Sequence, residues 1–125
     1  MDYDDDRELT KYVWDNCGQL LTEFELRVGR AITARAKAAA SQSAEMAGVL
    51  NKIWGEVGDP AVETALADGP EIFRRRVRDR LLSEHAAEIF INRCPSCGRV
   101  VRTPLARQCF WCGFDWHSAE YRRVK

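Results

Sequence analysis

Apolar residues recur at helical spacing through most of the first 88 positions, and the pattern predicts several helices separated by clear punctuation. Leu9, Tyr12, Val13, Asn16, Cys17 and Leu20 share one face of a segment running from about Asp5 to Gln19, with Gly18 near its end. The next start is written in Leu21-Thr22-Glu23-Phe24-Glu25-Leu26, where Thr22 and Glu25 form a capping box and Leu21 and Leu26 a hydrophobic staple. Beyond it, Phe24, Val28, Ile32, Ala36 and Ala39 line one side while Arg27, Arg30 and Lys37 line the other, so the alanine-rich end allows close helix approach. Ser41-Gln42-Ser43 interrupts the run. Met46, Val49, Leu50, Ile53, Trp54 and Val57 then recur at i, i+3, i+4, i+7, i+8 and i+11, which reads as a third helix with a full core stripe rather than as the lining of a ligand pocket.

Gly58-Asp59-Pro60 stops that helix and starts a short one over Ala61–Ala67, with Asp59 as cap and Pro60 at the first helical position. Asp68-Gly69-Pro70 repeats the signal ahead of a longer helix from Glu71 to about Ala87, whose buried line is Phe73, Val77 and Leu81. Arg74, Arg75, Arg76, Arg78 and Arg80 surround that line, which makes Arg74, Arg75 and Arg78 candidate contacts for nucleic-acid phosphates. Against this, Glu71–Arg75, Arg75–Asp79 and Arg80–Glu84 are spaced for pairing within the helix. After Glu88 the texture changes: Ile89-Phe90-Ile91 and Val100-Val101 are β-type runs that predict a hairpin. The expected architecture is therefore mostly α with a small β ribbon: a helical domain of four to five helices over residues 1–88, and an appendage over 89–125.

Composition adds boundaries rather than a role. With 46% hydrophobic and 30% charged residues, neither disorder nor a membrane span is indicated. The opening Met1-Asp2-Tyr3-Asp4-Asp5-Asp6 is acidic where a signal peptide would be basic, so a cytoplasmic protein with reduced thiols is expected. Net charge is zero, yet residues 1–25 hold eight acids and two bases, and residues 69–125 hold six acids and twelve bases. This polarity suits either an anionic partner or two solvated faces.

The chemistry concentrates near the end of the chain. Cys94-Pro95-Ser96-Cys97-Gly98 and Cys109-Phe110-Trp111-Cys112-Gly113 are two Cys-x-x-Cys loops that together provide a tetrahedral four-thiolate site, with one structural Zn²⁺ as its default occupant and iron less favoured. Gly98 and Gly113 follow the second cysteine of each loop, where a tight knuckle needs positive φ. Cys17 is left over; with no His or basic neighbour to activate it, it reads as a small core residue. His85 with Glu88 makes too poor a donor set for metal, and His117 finds the tetrahedron already filled.

These two motifs, over about Ile89 to His117, resemble the zinc ribbon (rubredoxin-like) family. The resemblance implies that Cys94, Cys97, Cys109 and Cys112 are ligands, that two knuckles sit on a small antiparallel sheet, and that the module binds DNA, RNA or protein. Helices followed by a ribbon are also similar to rubrerythrin, but its di-iron site needs Glu-x-x-His pairs, and Leu82 and Phe114 stand three residues before His85 and His117. No phosphate loop, His-Glu-x-x-His helix or nucleophile elbow occurs, and four thiolates leave no open metal position, so the chain reads as a non-enzyme with no small-molecule substrate. A protein-binding adaptor or regulator is the first reading, with Trp111 exposed as partner anchor and Phe110 buried. A nucleic-acid binder, with Arg93, Arg99, Arg102 and Arg107 joining the arginine helix, is second; a one-electron iron carrier is third.

Overall fold

Side-chain caps mark the helix starts of this protein, and the computed structural model, which describes residues 2–117, follows them closely. α1 (Asp5–Asn16) opens with the Asp4 carboxylate accepting the Arg7 N–H. α2 (Glu23–Ala40) opens on the capping box: Thr22 Oγ1 accepts the Glu25 N–H at 3.0 Å, and the Glu25 carboxylate accepts the Thr22 N–H at 2.8 Å. α3 (Ala44–Val49) starts behind Ser43 and runs on into a π-helical turn over Leu50–Trp54. α4 (Pro60–Ala65) starts behind Asp59, which accepts from the N–H groups of Ala61 and Val62. α5 (Pro70–Glu84) follows Gly69, whose φ of +98° suits a residue without Cβ. The protein is mostly helical, and no described helix is long and apolar enough to cross a membrane.

The expected β ribbon is not formed. Among the described residues, antiparallel pairing is confined to two isolated bridges, Arg93 with Val100 and Gln108 with Asp115. A physical reason lies in the backbone groups that a strand over Ile89–Ile91 would need. The Phe90 carbonyl accepts from the Tyr12 hydroxyl at 2.6 Å, and the same hydroxyl accepts the Asn92 N–H at 3.3 Å, so a side chain takes the place of a neighbouring strand.

The chain divides into two compact units, residues 21–79 and residues 1–20 together with 80–125. α1 belongs with the cysteine-bearing segment, and the boundary falls inside α5.

Within unit 21–79, α2 buries Val28, Ala31, Ile32, Ala34 and Ala38, with Val62, Phe73 and Val77 the other large buried apolar residues. Phe24, Ala36 and Ala39, expected on the inner face, are exposed, so the buried stripe is turned towards the small alanines. Two arginines flanking that stripe account for the rotation. Arg27 Nε donates to both Glu56 oxygens at 2.7 and 2.9 Å while Nη2 reaches Asp59 at 2.8 Å. Arg35 Nε donates to the Gly55 carbonyl at 2.8 Å and Nη2 pairs with Glu63 at 2.5 Å. Together they clamp the turn from Gly55 to Asp59 onto α2, which centres the helix on Val28 and Ala31. The Val62 N–H and the Arg27 guanidinium hold the Asp59 carboxyl below its usual range, against the opposing effect of burial.

The third-helix core stripe is a second correction. Met46, Val49, Ile53, Trp54 and Val57 are all exposed, Ile53 and Trp54 at 60%. In the π turn the Gly55 N–H reaches back to the Leu50 carbonyl at 2.7 Å, and the Val57 N–H reaches the Asn51 carbonyl at 3.1 Å. A π turn takes up more residues than an α turn, so the positions beyond Leu50 leave the α-helical register, while Met46 and Val49 ahead of it are exposed as well.

Gly55 sits buried at the end of this turn, where an added Cβ would meet Arg35 Cγ and the Asn51 carbonyl at 3.0 Å. Gly55→Ala should therefore destabilise this unit by about 1–3 kcal/mol, read as a lowered denaturation midpoint with unchanged helix content; an unchanged midpoint would show that the clamp yields freely.

Candidate metal centre

Two short loops bring the four expected cysteines together, and the second repeats the backbone pattern of the first. In the first loop the Cys94 N–H donates to Arg99 O, Gly98 N–H to Cys94 O, and Val101 N–H to Asn92 O, at 2.9, 2.9 and 3.0 Å. In the second, Cys109 N–H donates to Phe114 O, Gly113 N–H to Cys109 O, and Trp116 N–H to Arg107 O, each at 2.8 Å. The turn at each loop needs positive φ, +76° at Gly98 and +81° at Gly113. Nothing lies within 4 Å of a Cβ added at either glycine, so conformation rather than space demands glycine there. As a consequence of the repeat, Cys94 and Cys109 are both buried while Cys97 and Cys112 both face outward.

The ligand atoms of all four cysteines lie within 4.8 Å of one another. Closest are the pairs drawn from different loops, Cys94 Sγ with Cys112 Sγ at 3.6 Å and Cys97 Sγ with Cys109 Sγ at 3.7 Å. A tetrahedral ion with metal–sulfur bonds near 2.3 Å requires sulfurs about 3.8 Å apart, so this donor set fits a single metal ion. The thiols also find backbone donors: the N–H groups of Ser96 and Cys97 point at Cys94 Sγ from 3.4 and 3.5 Å. Burial pushes the Cys94 thiol up despite these contacts. At Cys97 burial acts in the same sense, but the Arg99 N–H and the surrounding thiols outweigh it and draw the thiol down to about 7.

Around the sulfurs lies a core of its own. Cys94, Val101, Cys109 and Trp116 form one buried cluster, against which Ala106, Trp111 and Phe114 pack. Asn92 is the polar hub of this region and is 2% exposed. Its side-chain amide donates to the Thr103 and Ala106 carbonyls at 2.8 and 2.9 Å, while its backbone carbonyl accepts the Val101 N–H. One asparagine thereby ties the linker between the two loops to the first of them.

The N-terminal segment straps this module from outside. The Tyr3 hydroxyl accepts the Val100 N–H at 2.9 Å and donates to Asp5, and its ring meets Trp111 edge to face at 4.9 Å. Asp5 forms a two-point pair with Arg93 at 2.8 and 3.3 Å, and Arg93 also donates to the Gly98 carbonyl on the first knuckle. Arg99 lies over both the Tyr3 and Trp111 rings. Farther along α1, the Asn16 amide donates to the Arg102 carbonyl at 2.9 Å.

The placement of the aromatic knuckle pair reverses the expectation. Phe110 is the exposed member, at 40%, with the Arg102 guanidinium over its ring. Trp111 is half-buried beneath Tyr3, and its indole N–H is enclosed without a hydrogen-bond partner among the described residues. Among the arginines singled out in α5, Arg75 is exposed and Arg74 half-buried, whereas Arg78 is buried and paired with Asp79 at 2.7 Å, which removes it as a phosphate contact. Arg80 pairs with Glu84 as its spacing predicts, and Arg76 with Asp68. Cys17 is buried, and burial pushes its thiol up, as suits a core residue. His85 pairs with Glu88 and His117 with Asp115; neither joins the sulfur cluster.

Tyr3, Asp5, Tyr12, Asn16 and Asn92 are the site-supporting residues that sequence reasoning passed over. Only Asn92, a polar residue beside the first motif, carried any local signal. Compared with known protein families, with characterised proteins and with solved structures, the chain matches none. Fold and site together define a mostly helical protein with a four-cysteine cluster able to hold a metal ion.

Replacing Asn92 tests whether the module is held by its hub. Asn92→Ala strands the Thr103 and Ala106 carbonyls and should lower stability by about 2–3 kcal/mol, with metal lost to a competing chelator about tenfold more readily. Unchanged chelator competition would show that the loop linker holds its course without the amide.

Proposed function

We propose that this chain is a non-catalytic zinc-binding protein, a small adaptor or regulator that holds a protein partner through its helical unit. A closed set of four thiolates leaves no coordination position for substrate or water, so the ion's role is structural. Zinc is the occupant this reading assigns, one per chain, in a reducing cytoplasmic setting where thiolates persist. The observation that carries the partner reading is the exposure of Met46, Val49, Ile53, Trp54 and Val57, five apolar side chains in α3, its π turn and the residues just after it. The aromatic knuckle is the weaker surface, because Tyr3 already lies against Trp111.

Nucleic-acid binding takes second place because many of the arginines it would use are engaged within the chain: Arg78 is buried, Arg93 is paired with Asp5, Arg99 lies over Tyr3 and Arg102 over Phe110. Elemental analysis of the purified protein tests the metal assignment. A colourless protein with one zinc per chain is expected, whereas a red protein carrying iron would replace this reading with that of a one-electron carrier.

A further inference from the structure

We infer that the exposed flank of α3 and its π turn is the contact face of a homodimer, in which two copies pair antiparallel about a two-fold axis. The inference rests on reading this flank as a protein-binding surface, and it names the partner as a second copy of the same chain. Three observations lead there.

The first is extent. Met46, Val49, Ile53 and Trp54 in α3 and its π turn, with Val57 just beyond, are 45% to 60% exposed. Together they present an apolar surface on the order of 500 Å², the scale at which a patch on a monomer is functional. Doubled by pairing, such a surface reaches the total of about 1,000 Å² that a specific interface requires.

The second is charge. Glu45 and Lys52 edge the same flank two helical turns apart, both exposed, and neither has a hydrogen bond or ion pair with another described residue. The other acids of this neighbourhood are occupied, Glu56 and Asp59 by Arg27 and Glu63 by Arg35. Glu45 and Lys52 therefore remain as one unpaired charge of each sign. A two-fold axis needs a patch that complements itself, so that residue i meets j and j meets i. Antiparallel pairing sets Glu45 of each copy against Lys52 of the other, which brings Gly48 and Val49 beside the axis and Met46 across from Asn51.

The third is the backbone. The π turn moves Trp54 out of the inward register, and the Arg27 and Arg35 clamps hold the segment after it in place, with Glu56 at a φ of +50°. The exposed face is thus presented by a fixed turn rather than by a loose end of helix.

Sedimentation equilibrium on the full, metal-loaded chain tests the inference through charge reversal. The wild type should show a concentration-dependent monomer–dimer equilibrium. Glu45→Lys and Lys52→Glu should each weaken self-association about tenfold, because each homodimer then faces like charges at both rim pairs. Mixing the two variants should restore association, since each copy then offers the other the opposite sign at both positions. Ile53→Asp should abolish the dimer while leaving zinc content and helix signal unchanged.

A wild type that stays monomeric at all concentrations overturns the inference, as does a dimer indifferent to both Ile53→Asp and charge reversal. In either event the broader protein-binding reading stands or falls separately, on whether immobilised wild type retains a cellular protein that the Ile53→Asp variant releases.

Discussion

Four sulfur atoms within 4.8 Å of one another cannot all carry charge unless a cation lies among them, and the buried cluster that surrounds them is small. The buried cluster has four members, Cys94, Val101, Cys109 and Trp116, of which two belong to the set that could hold a metal ion. Around the two loops, metal site and hydrophobic cluster are consequently one object, while Tyr12, Val13, Cys17 and Leu81 are buried elsewhere in the same unit. Binding of a structural ion to such a set can contribute about 10 kcal/mol or more to folding, which is large beside what a few buried side chains supply. The rest of the module is arranged outward from this point: a glycine turn over each loop, Asn92 fastening the linker, and α1 with its N-terminal strap fastened through Tyr3, Asp5, Tyr12 and Asn16.

The other unit obeys a different constraint. Its long helix carries many alanines and few large apolar residues, and its neighbours are short, so burial alone offers modest cohesion. Arg27 and Arg35 compensate by reaching from α2 to the turn that follows the π segment, binding carboxylates and a carbonyl with planar, multidentate geometry that lysine would not reproduce. The apolar residues that would ordinarily close a core here, Ile53 and Trp54 foremost, are turned to solvent instead.

What the sequence made legible was local. The clustered cysteines and the two knuckle glycines followed from spacing, and the caps at Thr22 and Asp59 and the helix start at Pro70 followed from short-range chemistry. What it concealed was long-range or depended on register. The β-type run at Ile89–Ile91 has strand propensity, but Tyr12, nearly eighty positions away, takes the backbone groups a ladder would use. Trp111 and Phe110 exchanged roles because Tyr3, near the other end of the chain, covers the indole. Trp54 keeps α-helical spacing with Met46 and Val49 in the sequence, yet all three are exposed, and Trp54 closes a π turn that no spacing announces. Arg78 sits one position from the buried line of α5, and its charge is accommodated by Asp79, a partner no i, i+4 rule proposes.

If the sulfur cluster organises its unit, removing the ion should dismantle that unit and spare the other, and amide hydrogen exchange reads this residue by residue. On chelation the amides of Cys94, Val101, Cys109 and Trp116 should lose protection together with those of α1, while those of Val28 to Ala38 in α2 keep theirs. Retention of protection in α1 after complete metal removal would contradict the account, as would loss of protection throughout the chain.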